Sequence, residues 1–379
     1  MKFPEHGMHK KDLLRILSAK QRKNIKFSDG KIFGSMCAKP AQISILAYNM
    51  FIESNLGNPG LYPGTYEMER EVISMLGDLM HCRKVYGRVL SGGTEANITA
   101  LWMYRNAYGK RKVILPEHAH FSFNKACNLL GLEPVYVKLD KNYTMDCEDL
   151  RRKIDSDVLC VVAVAGSTEL GVIDNIPCIS EICERHGVAV HVDAAFGGFI
   201  IPFLNRLKYS LPDFDFKVSA VQSITVDPHK MGQSVMPSGV LLTRKNLWKS
   251  IEFKSPYLTS EVHTTLLGTR ASGAVAGTYA VINWLGVHGY MELAEYCMEL
   301  TRYARNLCNR YGFEPVVEPT LNILALRGKN TRRIVREMYR KKLFVSYAPC
   351  CNGIRLVLMP YIKKEHIDRL FNALSQIWV

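Results

Sequence analysis

Cysteine is sparse: eleven in 379 residues, too dilute for a disulfide scaffold. Cys178 and Cys183 stand five apart on a predicted helix and Cys350-Cys351 are vicinal, but neither spacing suits zinc or an iron–sulfur cluster. Buried free thiols in a reducing cytosol are the expectation. No apolar core with a basic flank follows Met1, so no secretory leader is expected in this sequence. The stretch 271–291 lacks Asp, Glu, Lys and Arg, yet it contains Ser272, Thr278, Asn283, His288 and four glycines. That mixture is too polar for lipid and predicts a buried helix, so no membrane is expected as a partner. Internal repeats and low-complexity segments are lacking as well. Acidic residues are in deficit, 35 against 49 basic, leaving a formal charge of +14.

What remains is globular: 47% apolar and 22% charged residues exclude fibrous and disordered classes. The length fits two domains, or one large domain with an appendage. Positive charge concentrates over 10–31 and on a predicted helix at Arg332, Arg333, Arg336, Arg340, Lys341 and Lys342. No zinc-finger, homeodomain or RNA-binding aromatic pattern accompanies it. A solvated face that also attracts anionic metabolites is therefore favoured over a nucleic-acid footprint.

Residues 1–50 are basic and weakly patterned and read as an N-terminal arm. From about Tyr66 helical and strand periods alternate. Helices are predicted over 66–83, 94–108, 121–130, 147–154 and 176–186. Short apolar runs at 113–115, 134–137, 158–165, 188–192, 223–226 and 239–242 read as strands. Strands apolar on both faces, alternating with helices, imply an α/β fold with a mostly parallel sheet covered on two sides. A long helix over 271–311 follows. Strands at 316–319, 322–326, 344–347 and 354–359, with helices at 332–341 and 364–377, then suggest a small α/β unit with an antiparallel sheet. The predicted organisation is an arm at 1–50, a large domain at 51–290 and a small one at 291–379.

Three segments carry chemistry. Ser91-Gly92-Gly93-Thr94-Glu95-Ala96-Asn97 opens a helix whose free N–H groups and dipole suit a phosphate, unless it is a plain capped turn. It is neither a P-loop nor a dinucleotide fingerprint. In His191-Val192-Asp193-Ala194-Ala195-Phe196-Gly197-Gly198 a strand ends on a carboxylate, where open α/β sheets place ligands. An N-cap is the alternative role for Asp193. In Ser223-Ile224-Thr225-Val226-Asp227-Pro228-His229-Lys230-Met231-Gly232 a lysine follows a strand. It is either a surface loop lysine or a buried amine of depressed pKa, suited to a Schiff base. Taken together, a phosphate cradle, an anion for a ring nitrogen and an amine for an aldehyde are what pyridoxal 5′-phosphate requires.

With these motifs the chain resembles a fold-type I pyridoxal phosphate enzyme of the group II amino-acid decarboxylase family, nearest the archaeal L-tyrosine/L-aspartate decarboxylases. The likeness runs from Ile32-Phe33-Gly34-Ser35-Met36-Cys37 through Asn55-Leu56-Gly57-Asn58-Pro59-Gly60 to Leu358-Met359-Pro360. It implies a seven-stranded, mostly parallel sheet in the large domain and a homodimer with active sites at the interface, Thr269 and Arg270 reaching toward the neighbouring site. It further implies Lys230 as the Schiff-base lysine with His229 flanking it, and Asp193 on the pyridinium nitrogen. Gly93 and Thr94 would hold the phosphate, His120 would stack on the ring, and Thr168 and Ser223 would contact the coenzyme. Packing of His120 in the core, or zinc on His118 and His120, are the alternatives.

The same resemblance implies loss of an α-carboxylate as CO2. The electron pair left on Cα needs a protonated ring to receive it, which Asp193 would secure. Arg355 matches the position that many fold-type I enzymes use on a substrate carboxylate; a structural ion pair is its alternative. The segment 254–268 is short and the part just before Leu267 lacks the loop tyrosine that animal and plant relatives use to reprotonate Cα. Lys230, His229, His263 and Tyr257 are the candidates for that proton. The expected activity is decarboxylation of L-aspartate to β-alanine, L-tyrosine to tyramine, or both; in the archaeal family these feed coenzyme A and methanofuran synthesis. Another fold-type I reaction (transamination, lyase or desulfurase chemistry) and a non-enzymatic basic module are the alternatives.

Overall fold

The computed structural model describes residues 2–378. Helices α1 (Lys10–Gln21), α2 (Gln42–Met50) and α3 (Pro63–Leu79) precede β1 (Tyr86–Leu90) and α4 (Gly93–Tyr108). Then come β2 (Lys112–Pro116), α5 (Ser122–Leu130), β3 (Glu133–Val137), α6 (Cys147–Lys153), β4 (Val158–Val164) and α7 (Ile176–Arg185). Strand β5 (Ala189–Asp193), α8 (Ile201–Arg206), β6 (Val221–Val226) and β7 (Gly239–Thr243) complete the first sheet. A short pair, β8 (Phe253–Lys254) and β9 (Val262–His263), leads to α9 (Ser272–Tyr311). The last part comprises β10 (Glu314–Pro315), β11 (Ile323–Arg327), α10 (Thr331–Arg340), β12 (Ser346–Ala348), β13 (Gly353–Val357) and α11 (Lys364–Ser375).

The seven-stranded sheet has the order β1-β7-β6-β5-β4-β2-β3, and β7 runs against both of its neighbours while the remaining pairs are parallel. Its two faces are legible in β4, which is buried throughout. Val161 and Ala163 pack with α3, α7 and α8, whereas Cys160 and Val162 pack with α4 and α5. Each such valine contributes about 1.5–3 kcal/mol of burial. In β5 and β6 the first face is again apolar, with Val190, Val192, Ile224 and Val226. The opposite face carries His191, Asp193, Ser223 and Thr225, paired in register as His191 with Ser223 and Asp193 with Thr225. A period of two therefore lines polar groups beneath α4.

Two departures from the sequence reading have physical causes. Strand β1 went unread because Gly87 and Arg88 interrupt its apolar pattern; a Cβ on Gly87 would come within 2.7 Å of the Leu241 carbonyl of β7. The supposed N-terminal arm is only in part an arm. Helix α1 buries nothing, but Phe33 is fully buried, its amide bonding the Phe344 carbonyl at 2.7 Å while its carbonyl receives the Val357 amide at 2.6 Å. Residues 31–34 thus run beside the four-stranded sheet β10-β11-β13-β12. The division expected near 290 lies inside α9, the helix read over 271–311. That helix breaks at Gly286 (φ 57°, ψ −169°), a conformation reserved in practice for glycine. Its first part packs Val275 with the large sheet, and its last part packs Leu300, Ala304 and Leu307 with the small one.

Arg270 lies just ahead of α9 and does not extend outward. Its guanidinium is buried against both carboxylate oxygens of Glu69, and Nη1 also donates to the Val89 carbonyl at 2.8 Å. Both Nη atoms of Arg270, expected to reach toward a neighbouring subunit, bond within its own chain and tie α3 to β1. Breaking a buried pair from one side strands a charge. Glu69→Ala is expected to lower stability by about 3–5 kcal/mol, read as a shift in the urea unfolding midpoint at unchanged slope.

Candidate active site

The carboxyl ends of β4, β5 and β6 open into a cavity of about 430 Å³, in the range of small-molecule sites. Gly93, Thr94, His120, Thr168, Asp193, His229 and Lys230 all border it. The amino end of α4 forms one wall. Gly92 adopts φ 136°, and a Cβ on Gly239 would sit 2.4 Å from the Gly92 Cα, so both positions need glycine. Ser91 donates its amide to Glu95 Oε2 at 2.7 Å and Gly92 accepts the Ala96 amide, which sets the first turn of α4. The amides of Gly93 and Thr94 follow at the positive end of the helix, suited to a phosphate.

Lys230 Nζ lies 3.1 Å from Asp227 Oδ2, and His229 Nε2 lies 3.8 Å from the same oxygen. Burial by itself would depress the lysine amine. The Asp227 and Asp193 carboxylates outweigh it, so the amine titrates above its ordinary value. This corrects the expectation of a depressed lysine. Asp227, three residues earlier in the same turn, is the partner the sequence reading did not assign. His229 is bonded through Nδ1 to the Ser238 carbonyl, and burial pushes its pKa down while Cys37 and Asp227 raise it further than that. The Cys37 thiol, hydrogen-bonded to His229, is lowered in turn despite burial. Cys37 was visible only as part of a motif.

Asp193 accepts the Ala195 amide at 3.1 Å on Oδ1 and Asn97 Nδ2 at 3.0 Å on Oδ2. Its negative charge faces the cavity from the strand end. His120 sits 2.9 Å from Ser122 Oγ, and burial together with Lys230 outweighs the two carboxylates and lowers its pKa, favouring a neutral ring. His118 points to Asp174 at 3.4 Å, and that carboxylate raises the histidine despite burial.

Two of the expected residues stand back from the cavity. Ser223 does not border the cavity: it is fully buried, its Oγ 2.7 Å from both Tyr104 Oη and His191 Nδ1. The register puts it beside His191, two residues below the strand end where Asp193 stands. Arg355 does not border it either. Its Nη1 donates to the Thr168 carbonyl at 2.6 Å and its Nη2 to the Gly34 carbonyl and Ser346 Oγ. It braces the wall that carries Thr168. Among the proton-donor candidates, Lys230 and His229 are on the cavity, whereas His263 and Tyr257 border a second depression with Asn55, Gly57 and Asn58. Met36, Phe121 and Pro237 supply apolar wall that sequence patterning had not marked.

The donor set fits pyridoxal 5′-phosphate: backbone amides at a helix start for its phosphate, the Asp193 carboxylate for its ring nitrogen and a desolvated amine for its aldehyde. An α/β sheet bearing this arrangement at its strand ends places the chain among pyridoxal-phosphate-dependent enzymes. Residues 49–329 match the pyridoxal-dependent decarboxylase conserved domain, and the chain belongs to that family. It is similar to the L-aspartate/L-glutamate decarboxylase of Pyrococcus horikoshii, 42% identical over 383 residues and covering 100% of both chains. It is likewise similar to a probable L-tyrosine/L-aspartate decarboxylase of Methanosphaera stadtmanae, 43% identical and covering 98% of each. A sphingosine-1-phosphate lyase from Burkholderia pseudomallei superposes with a TM-score of 0.91 at 25% identity, over 99% of this chain and 92% of that one. The fold is the fold-type I architecture and the activity is pyridoxal-phosphate-dependent decarboxylation of an amino acid.

His191 allows a test of this site's burial. Removed from water, it titrates at about 4 rather than near 6.5. The unfolded chain therefore takes up a proton that the folded one refuses. The contribution is whole above pH 6.5 and falls by up to about 3 kcal/mol as the pH drops toward 4. Urea titrations across that range should show the slope, and His191→Gln should flatten it.

Proposed function

We propose that this enzyme removes the α-carboxylate of L-aspartate, releasing CO2 and leaving β-alanine, with L-tyrosine as the second substrate to compare. The observation that carries the substrate is that relatives alike over their whole length share aspartate in their names. The chemistry rests on Lys230 and Asp193 bordering one cavity. When bound, the coenzyme supplies a conjugated sink for the electron pair left on Cα.

The chain's own groups do the remainder. Lys230 would hold the coenzyme through its amine, and a proton at Nζ within the cavity makes it the first candidate to return one to Cα. Asp193 holds positive charge at the ring nitrogen. His120, kept neutral by burial, presents a ring face without adding charge, and Met36, Phe121 and Pro237 exclude water from one side. Thr168, braced by Arg355, would fix where the departing carboxylate points and hence which bond breaks. Arg355 is placed here as a brace and not as a direct carboxylate ligand, since its Nη1 and Nη2 bond the Thr168 carbonyl and Ser346 Oγ within the chain.

A homodimer is part of this proposal. Leu46, Met50 and Leu61 are half or more exposed, which favours a covering surface. No helix among the described residues is long and apolar enough to cross a membrane. Eleven free thiols favour a reducing cytoplasm.

Purified protein loaded with pyridoxal phosphate should release CO2 from L-aspartate with kcat/KM at least about tenfold above that for L-tyrosine or L-glutamate. Keto-acid formation without CO2 would instead favour transamination. Borohydride reduction should add the coenzyme mass to the peptide containing Lys230, and Lys230→Ala should cost on the order of 10³-fold or more in kcat.

A further inference from the structure

Behind the two coenzyme-facing groups lies a buried chain of side chains that touches neither the phosphate cradle nor the catalytic amine. Tyr104 Oη and Ser223 Oγ are 2.7 Å apart, and Ser223 Oγ is 2.7 Å from His191 Nδ1. His191 Nε2 is 3.1 Å from Asn97 Oδ1, and Asn97 Nδ2 reaches Asp193 Oδ2 at 3.0 Å. The second N–H of the same amide reaches Ser122 Oγ at 2.9 Å, and Ser122 Oγ is 2.9 Å from His120 Nδ1. Tyr104, Ser223, His191 and Ser122 are completely buried and Asn97 nearly so.

The direction of each bond follows from the acceptor at one end. An ionised carboxylate only accepts, so the amide must present Nδ2 to Asp193. Oδ1 then faces His191 Nε2 and the Thr225 hydroxyl, 2.7 Å away, and both must donate to it. With its proton on Nε2, a neutral His191 has a bare Nδ1 and accepts a hydrogen bond from the Ser223 hydroxyl. Ser223, having donated, accepts from Tyr104. At the other branch Ser122 receives from the amide and donates to His120 Nδ1, which leaves the His120 proton on Nε2. A single arrangement satisfies every buried donor and acceptor in the chain, as low-dielectric networks require.

We propose that Asn97 is the positioning residue of this active site: the Tyr104–Ser223–His191 chain fixes which way its amide faces, and the amide orients both Asp193 and, through Ser122, His120. The ring nitrogen and the ring face of the coenzyme are thereby referred to one side chain at the second turn of α4. Ser223 acts at a distance. Without its hydroxyl the His191 proton is free to move to Nδ1, and bare Nε2 would then oppose Asn97 Oδ1, favouring an amide turned with oxygen toward Asp193. Tyr104 lies one bond further back, and its loss leaves the Ser223 donation intact.

The inference rests on the coenzyme occupying this cavity but not on which amino acid is decarboxylated, so it is read without substrate. In ¹⁵N spectra of the holoenzyme His191 should be the Nε2–H tautomer, and a proton on Nδ1 would overturn the proposal even if no variant folded. By absorbance titration, Asn97→Ala should raise the coenzyme dissociation constant about tenfold, Ser223→Ala about threefold, and Tyr104→Phe less than about twofold. Ser223→Ala should also move His191 toward the Nδ1–H form. Equal losses in all three variants, or none with Asn97→Ala, would reduce the chain to general packing and refute the assignment. Failure of the coenzyme to bind the unaltered protein would instead strike the reading of the cavity itself.

Discussion

Two carboxylates at neighbouring strand ends share one desolvated ammonium. Asp227 touches the Lys230 amine directly, at 3.1 Å, and Asp193 adds its field from the end of β5. Three charges cannot be buried together unless they compensate, and leaving any of them alone would be costly. The cavity's walls follow from this. The glycines of the 91–93 turn let α4 approach close enough to cover Asp227, where a Cβ on Gly93 would come within 2.9 Å of its Oδ2. His229 then enters from the next position in the turn, balanced by the Cys37 thiol.

The compensation has a chemical consequence. An amine held above its ordinary pKa is a good proton holder and, while protonated, a poor nucleophile, and Asp227 helps it to retain the proton. Catalytic lysines are commonly pictured as depressed by burial. Here charge pairing dominates burial, and the balance depends on a residue only three positions away.

The small sheet takes part in the site although none of its strands borders the cavity. Residues 31–34 run beside that sheet through Phe33, and the segment then carries Met36 to the cavity edge, with the Ala38 amide bonding the His229 carbonyl at 3.3 Å. Arg355, from β13, ties Thr168 of the large sheet's loop to Gly34 of this segment. The two sheets are thus joined at the catalytic wall, which explains why an arginine that resembles a substrate ligand in sequence serves as a brace in the fold.

Much of the chemistry could be read from the chain alone, because its pieces are local. A strand that ends in Asp193, a strand followed by Lys230, and a glycine turn that opens α4 each occupy fewer than a dozen residues, and apolar runs without alternation already implied a covered parallel sheet. Local patterning also sets where readings failed. Gly87 and Arg88 hid β1, and a weak pattern hid the strand-like course through Phe33. Other features depend on which way a side chain turns and what it meets. Ser223 stands in the same strand as residues near the coenzyme, yet register and the two-residue period direct it to His191 instead. Asn97 and Asp193 are 96 positions apart, Asn97 and Thr225 are 128 apart, and their meeting is a property of the sheet order. Composition and motif determined that an amine, an anion and a phosphate cradle exist. Only the packed structure decided how they are charged and aimed, since burial, register and contact distance are relations between segments and no single segment carries them.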